Sequence, residues 1–183
     1  MTTGITQAPL LPLFLLLAAC GGGPATGPQA QDPYAVQVGQ PGQADCVATS
    51  TMQNQRLAAS TNAARRQAGL PPVQSNSLLA EVAARHACDM AERGRMTHIG
   101  STTSGPGDRL RAQGYRPAIS AENIAAGPFS LDRVLNEWAV SSGHRANMLL
   151  PQIRDVGIGQ AVAADGRTRY WAAVYSAPSQ NPR

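Results

Sequence analysis

The sequence predicts an α/β domain in which helices cover a sheet, and three observations carry that expectation. Apolar residues recur at helical spacing through the first part of the globular region. The period changes to strand-like runs in the last part, and an Asp-Gly pair joins two of those runs. Helices ahead of a terminal hairpin bury their apolar faces against the sheet it supplies. With 183 residues, 43% apolar and 14% charged, the chain is long enough for one such domain once non-globular ends are set aside.

In order along the chain, Thr49 to Leu70 places Met52, Leu57, Ala64 and Leu70 at helical spacing, and Gly69 followed by Pro71 and Pro72 ends that helix. Ser75 or Asn76 caps a second helix that sets Leu78, Leu79, Val82, Ala83, Met90 and Ala91 mostly on one face before Gly94. A loop rich in Gly, Ser and Thr leads to a short helix from Asp108 to Gln113, closed by Gly114. "AENIAAG" (Ala121 to Gly127) is too short for an independent helix and reads as a turn or a strand. Ser130 caps an amphipathic helix through Leu131, Val134, Leu135 and Trp138, which stops at Ser141-Ser142-Gly143. The tail from Asp155 to Ala177 has two β-like runs joined by Asp165-Gly166, a hairpin signal.

The N-terminal end reads as an address. Ala8 to Ala19, "APLLPLFLLLAA", is an uncharged apolar run too short to span a bilayer, which fits a signal-peptide core over residues 1–19. "LAAC" (Leu17 to Cys20) resembles a bacterial lipobox, so Cys20 is the expected lipidation site and the membrane an expected partner. An ordinary secretory peptide with a coincidental cysteine is the alternative. Gly21 after the cysteine resembles lipoproteins sorted to the outer membrane. Residues 20–44, rich in Gly, Pro and Gln, read as a flexible tether, 45–178 as the domain and 179–183 as a tail.

Charge and cysteines narrow the function classes. The formal charge is +4 and every basic residue is arginine, scattered with no run of five or more. That argues for a solvated, mildly basic surface and against nucleic acid as a partner. Cys46 and Cys88 are expected to form a disulfide outside the cytoplasm, a metal site being the rival reading. Their 42-residue separation (88 − 46) closes a loop worth about 4 kcal/mol in the chain-entropy view.

Three histidines remain to be placed. His86 lies mid-helix among alanines and reads as a packed structural residue. His98, in "RMTHIG", follows a helix end and is not committed to a helix face. His144, in "SSGHRANMLL", follows the Ser-Ser-Gly break. Glu122 is the only charged residue between Arg116 and Asp132, and a carboxylate among small apolar neighbours needs a cationic or hydrogen-bonding partner.

The order "HACDMAERGRMTH", "GDRLRAQGY", "AENIAAG", "LNEWAVSSGHRANML" and "VGIGQAV…YWAAVYS" resembles the bacterial branch of the CAP superfamily, the cysteine-rich secretory, antigen 5 and pathogenesis-related proteins. The resemblance runs from about Thr49 to Ala177. It implies a three-layer α-β-α sandwich with a terminal β-hairpin and an open cleft. By motif it implies that His98, Glu122 and His144 line that cleft. Many secreted members carry another glutamate where this chain has Ser141. Glu137, four residues earlier on the same helix face, is a candidate stand-in, with a plain surface glutamate as the alternative.

Two imidazoles and a carboxylate suit a divalent cation such as zinc, so His98, His144 and Glu122 form a candidate metal set. Without metal the same trio shapes a binding cleft. No H-E-x-x-H, G-x-S-x-G or P-loop occurs, so catalysis is left open. The resemblance implies a binding module, and with the lipobox-like anchor the expected role is a lipid-anchored cleft for an envelope lipid, glycan or peptide. The alternatives are a metal-dependent hydrolase or protease, and a structural or adhesive surface protein.

Overall fold

The computed structural model describes Met1 and residues 32–179, so the expected signal peptide and Cys20 lie outside the described residues. In chain order the elements are β1 (Val36–Gln37), α1 (Thr51–Gln67), β2 (Gln74–Ser75), α2 (Ser77–Arg93), β3 (Arg95–Met96), α3 (Pro106–Ala112), β4 (Pro117–Gly127), α4 (Leu131–Val140), α5 (Ser142–Met148), β5 (Asp155–Val162) and β6 (Arg169–Pro178). The main sheet has the order β2-β5-β6-β4, with β2 parallel to β5 and the other pairs antiparallel. Among the described residues no helix is long and apolar enough to cross a membrane.

Strand β6 shows why the molecule has three layers. Successive side chains on a strand point to opposite faces. Trp171, Ala173 and Tyr175 pack with Leu57 of α1, Trp138 of α4 and Met148 of α5. Tyr170, Ala172 and Val174 pack instead with Leu79, Val82 and Met90 of α2 and Leu110 of α3. The sheet therefore lies between α1, α4 and α5 on one side and α2 and α3 on the other, the expected α-β-α sandwich. A Cβ on Gly157 would lie 2.2 Å from the Ala80 nitrogen, and one on Gly159 2.2 Å from the Ala84 backbone, so these glycines let α2 rest directly on β5.

The local signals act as expected at most ends. Asn76 Oδ1 accepts from the Leu78 and Leu79 amides, and Ser130 accepts from the Arg133 amide. At the hairpin, the Asp165 carboxylate accepts from the Arg167 and Thr168 amides, with Gly166 at φ +69°. Met52, expected inward on α1, is exposed. That helix instead buries Asn54, Thr61 and Arg65 beside Leu57 and Ala64. "AENIAAG" is the second half of the edge strand β4. Cys46 and Cys88 are disulfide-bonded, with Cα atoms 5.2 Å apart.

Residues 20–31 of the expected tether lie outside the described residues, and residues 32–44 are bonded to the domain. From Asp32 onward the chain is a strap laid along the domain. β1 pairs with β3, the Val38 and Gly39 amides donate to the Gly94 carbonyl, and Asp45 bridges Val162 at the sheet edge. Backbone donors and acceptors exposed at the end of α2 and along β5 recruit this segment, which composition does not reveal.

Candidate functional site

The site is built around Glu122, whose side chain is 1% exposed. Its Oε1 accepts from Arg109 Nη2 at 2.5 Å and its Oε2 from His98 Nδ1 at 2.9 Å, with His86 Nε2 3.6 Å away. Burial pushes the carboxyl pKa up, but His86 in its protonated form, the His98 hydrogen bond and the Arg109 charge outweigh it and hold it below the usual value. Burial also lowers the pKa of His86, ahead of the pull from Glu122, so His86 is uncharged at neutral pH. Arg109 is therefore the permanent cation opposite Glu122.

An ionised carboxylate can only accept, so His98 carries a proton on Nδ1, and the neutral form of the ring has its lone pair on Nε2. The His98 side chain is 36% exposed. Its backbone is held as firmly as its ring: Asp32 Oδ2 accepts from the His98 amide at 2.6 Å, and Arg109 Nη1 donates to the His98 carbonyl at 3.0 Å. His86, expected as a packed structural residue, is indeed buried, and its Nε2 donates to the Thr97 carbonyl at 2.8 Å. It also forms the floor under Glu122, a neighbour the sequence did not suggest.

His144 reaches the site from the other side of the sheet edge. Glu122 and Asn123 are neighbours on β4 and face opposite ways, Glu122 toward α2 and α3, Asn123 toward α5. Asn123 Nδ2 donates to the His144 carbonyl at 3.1 Å. Asn147 Nδ2 donates to the Glu122 carbonyl at 3.1 Å and to Asn123 Oδ1 at 2.8 Å. These bonds clamp α5 to the free edge of β4. Arg65, a buried residue of α1, donates through Nη1 to the Met148 and Leu150 carbonyls and so satisfies the C-terminal end of α5. Burial, and then the nearby charge of His98, lowers the pKa of His144, which favours the neutral ring. Its Nδ1 is buried and has no hydrogen-bond partner among the described residues.

The structure thus joins His98 to Glu122 directly and His144 to the same strand through two asparagines. Glu137 stands apart: it is exposed on α4 and paired with Arg133, 3.7 Å away. Sequence reasoning missed Arg109, Arg65 and Asp32. The buried carboxylate on β4 demanded a cation, and that demand was the available signal, but nothing local separated Arg109 from the solvated arginines. Among the described residues, the group of three metal-type side chains whose donor atoms lie within 4.8 Å of one another is Cys46, Cys88 and Glu92. There the two sulfurs are already bonded to each other.

Residues 59–175 match the CAP family, described as the cysteine-rich secretory protein family. The chain belongs to that family. The Bacillus subtilis protein YkwD, itself described as uncharacterized, is 33% identical over 99 residues, 54% of this chain and 38% of that protein. An extracellular protein containing a SCP domain from Bacillus anthracis superposes with a TM-score of 0.59 at 28% identity, over 68% of this chain and 40% of that one. This CAP chain thus spans well under half the length of either Bacillus relative. An outer surface protein of Borrelia burgdorferi, 18% identical, has the same fold with a TM-score of 0.62, over 72% of this chain and 96% of that one.

Proposed function

We propose that this CAP-family chain is an extracytoplasmic, lipid-anchored protein whose cleft binds an envelope-derived lipid, glycan or peptide through His98 and His144. The observation that carries the reading is the Glu122–His98 hydrogen bond, which fixes one tautomer and leaves the Nε2 lone pair of a part-exposed imidazole free. His144, part-exposed on α5 and favouring the neutral ring, supplies a second imidazole beside the edge of β4. Naming of the Bacillus anthracis relative as extracellular supports the location, and the lipobox-like "LAAC" supports an anchor on Cys20.

The donor set also fits a divalent cation such as zinc in one respect. His98 and His144 would hold it, each through a neutral imidazole, and the cation would supply a Lewis-acid contact for a ligand oxygen. Glu122 has both oxygens occupied by Arg109 and His98, so its part is to orient His98 from behind, not to ligate.

The test is calorimetry and nuclear magnetic resonance on the oxidised chain, with His98→Ala and His144→Ala variants alongside. Zinc binding in the micromolar range or tighter, lost in both variants, is expected for the cation. Equal binding in the variants removes the cation from the reading. For the ligand, phospholipid micelles, cell-wall glycan fragments and envelope peptides are titrated in turn. One class is expected to move the His98 and His144 ring resonances, and the cleft reading fails if none does.

A further inference from the structure

The described part of the strap starts at Asp32, which lies against the His98 loop. Asp32 Oδ2 accepts from the His98 amide at 2.6 Å and from Thr97 Oγ1 at 2.8 Å, while Oδ1 accepts from its own strap at the Tyr34 amide, 2.9 Å away. The Ile99 amide in turn donates to Thr97 Oγ1 at 3.1 Å, so one carboxylate organises three consecutive residues of the loop. His98 is then held at three points: its N–H by Asp32, its C=O by Arg109 and its ring by Glu122.

The strap cannot slide to relax this contact. Val36 pairs with Met96 and Gln37 with Arg95. Gln37 Nε2 donates to the Gly94 carbonyl at 3.1 Å, and a Cβ on Gly94 would lie 2.4 Å from the Gly39 carbonyl oxygen. Asp32 is thus set at a fixed distance along the strand from a register pinned by backbone bonds.

We propose that Asp32 is a positioning residue of the cleft: it fixes the backbone of His98 so that the imidazole meets Glu122 and presents Nε2 outward. The inference rests on His98 being a cleft contact, the reading given above. It makes the segment before the domain part of the site, so a fragment starting at Asp45 lacks one of the three holds on His98. Asp32 acts through His98 and touches no ligand itself.

The experiment compares the isotope-labelled, oxidised chain with Asp32→Ala, Asp32→Asn and, as a control that loosens the strap elsewhere, Gln37→Ala. Long-range proton–nitrogen correlation spectra taken without metal report which ring nitrogen of His98 carries the proton. In wild type and Gln37→Ala the proton is expected on Nδ1. In Asp32→Ala the ring is expected to shift toward the Nε2–H form, with His98 amide exchange faster by about tenfold or more. Asp32→Asn, which keeps one acceptor oxygen, is expected to fall between. A His98 ring spectrum unchanged in Asp32→Ala overturns the proposal whatever happens to the melting temperature. So does an equal shift in Gln37→Ala, which would assign the effect to the strap as a whole. In a parallel zinc titration Asp32→Ala should weaken binding by roughly 10–100-fold, the range for residues that orient a ligand. Failure of wild type to bind zinc removes the cation alone, and the metal-free spectra still decide the role of Asp32.

Discussion

Replacing Arg109 by methionine isolates the energetic centre of the site. Arg109 and Glu122 are both buried, and the guanidinium meets Oε1 at 2.5 Å. Taking away one partner leaves a carboxylate in a low-dielectric setting, a change that typically costs about 3–5 kcal/mol. For a domain of this size each kcal/mol moves the melting temperature by roughly 2–4 °C, so the expected fall is roughly 6–20 °C at pH 7. The sign with pH follows from the carboxyl. In wild type its pKa is lowered on folding, so its contribution is present above the unfolded value of about 4.3 and is lost as pH falls through the lower folded value. Without Arg109 one of the influences that lower the carboxyl is lost, so the folded pKa moves up from its wild-type position and the deficit against wild type narrows between pH 7 and pH 4. Circular-dichroism melts of Arg109→Met, Glu122→Gln and the double variant at both pH values measure this. The double variant should recover part of the loss, because no unpaired charge is left buried. A deficit of under about 1 kcal/mol, or one equal at the two pH values, would refute a net stabilising role for the pair.

Three further outcomes are expected. Gly159→Ala places a Cβ against the Ala84 backbone, and overpacking of this kind costs about 1–3 kcal/mol or more, read as a lower urea midpoint; an unchanged midpoint contradicts the close approach of α2 to β5. The Cys46→Ser, Cys88→Ser double variant should lose about 4 kcal/mol, measured by urea denaturation under non-reducing conditions, with a loss below about 1 kcal/mol counting against the cross-link. His86 has a lowered folded pKa, so the unfolded chain binds a proton near pH 6.5 that the native chain does not. Stability should therefore fall as pH drops from about 7.5 to 5.5, and His86→Gln should flatten that slope; identical slopes would show that His86 charges freely in the native state.

The helices and the hairpin were legible because each carries its own signal. Asn76, Ser130 and Asp165-Gly166 satisfy or shape backbone within a few residues of themselves, so their effect survives without knowledge of the rest of the chain. His98, Glu122 and His144 were legible through motif order and through the cost of a lone carboxylate among apolar neighbours. Arg109 and Arg65 were not. In sequence they look like any of the scattered arginines, and only the approach of α3 to β4, or of α1 to α5, converts them into buried donors. Asp32 was hidden for a related reason: a Gly/Pro-rich segment reads as a spacer until the end of α2 offers it bonds.

By itself, then, the sequence determined which segments become helices and strands, where they stop, and which polar residues were too costly to leave unpaired, because capping, turn chemistry and periodicity act over a few residues. Only the tertiary structure decided the pairings. It set Arg109 and not another cation against Glu122, brought His144 to the edge of β4 from the opposite face to His98, left Glu137 in solvent, and drew the strap from Asp32 into the site. Those choices depend on the separation of layers and the register of the sheet, to which residues from 32 to 176 contribute together.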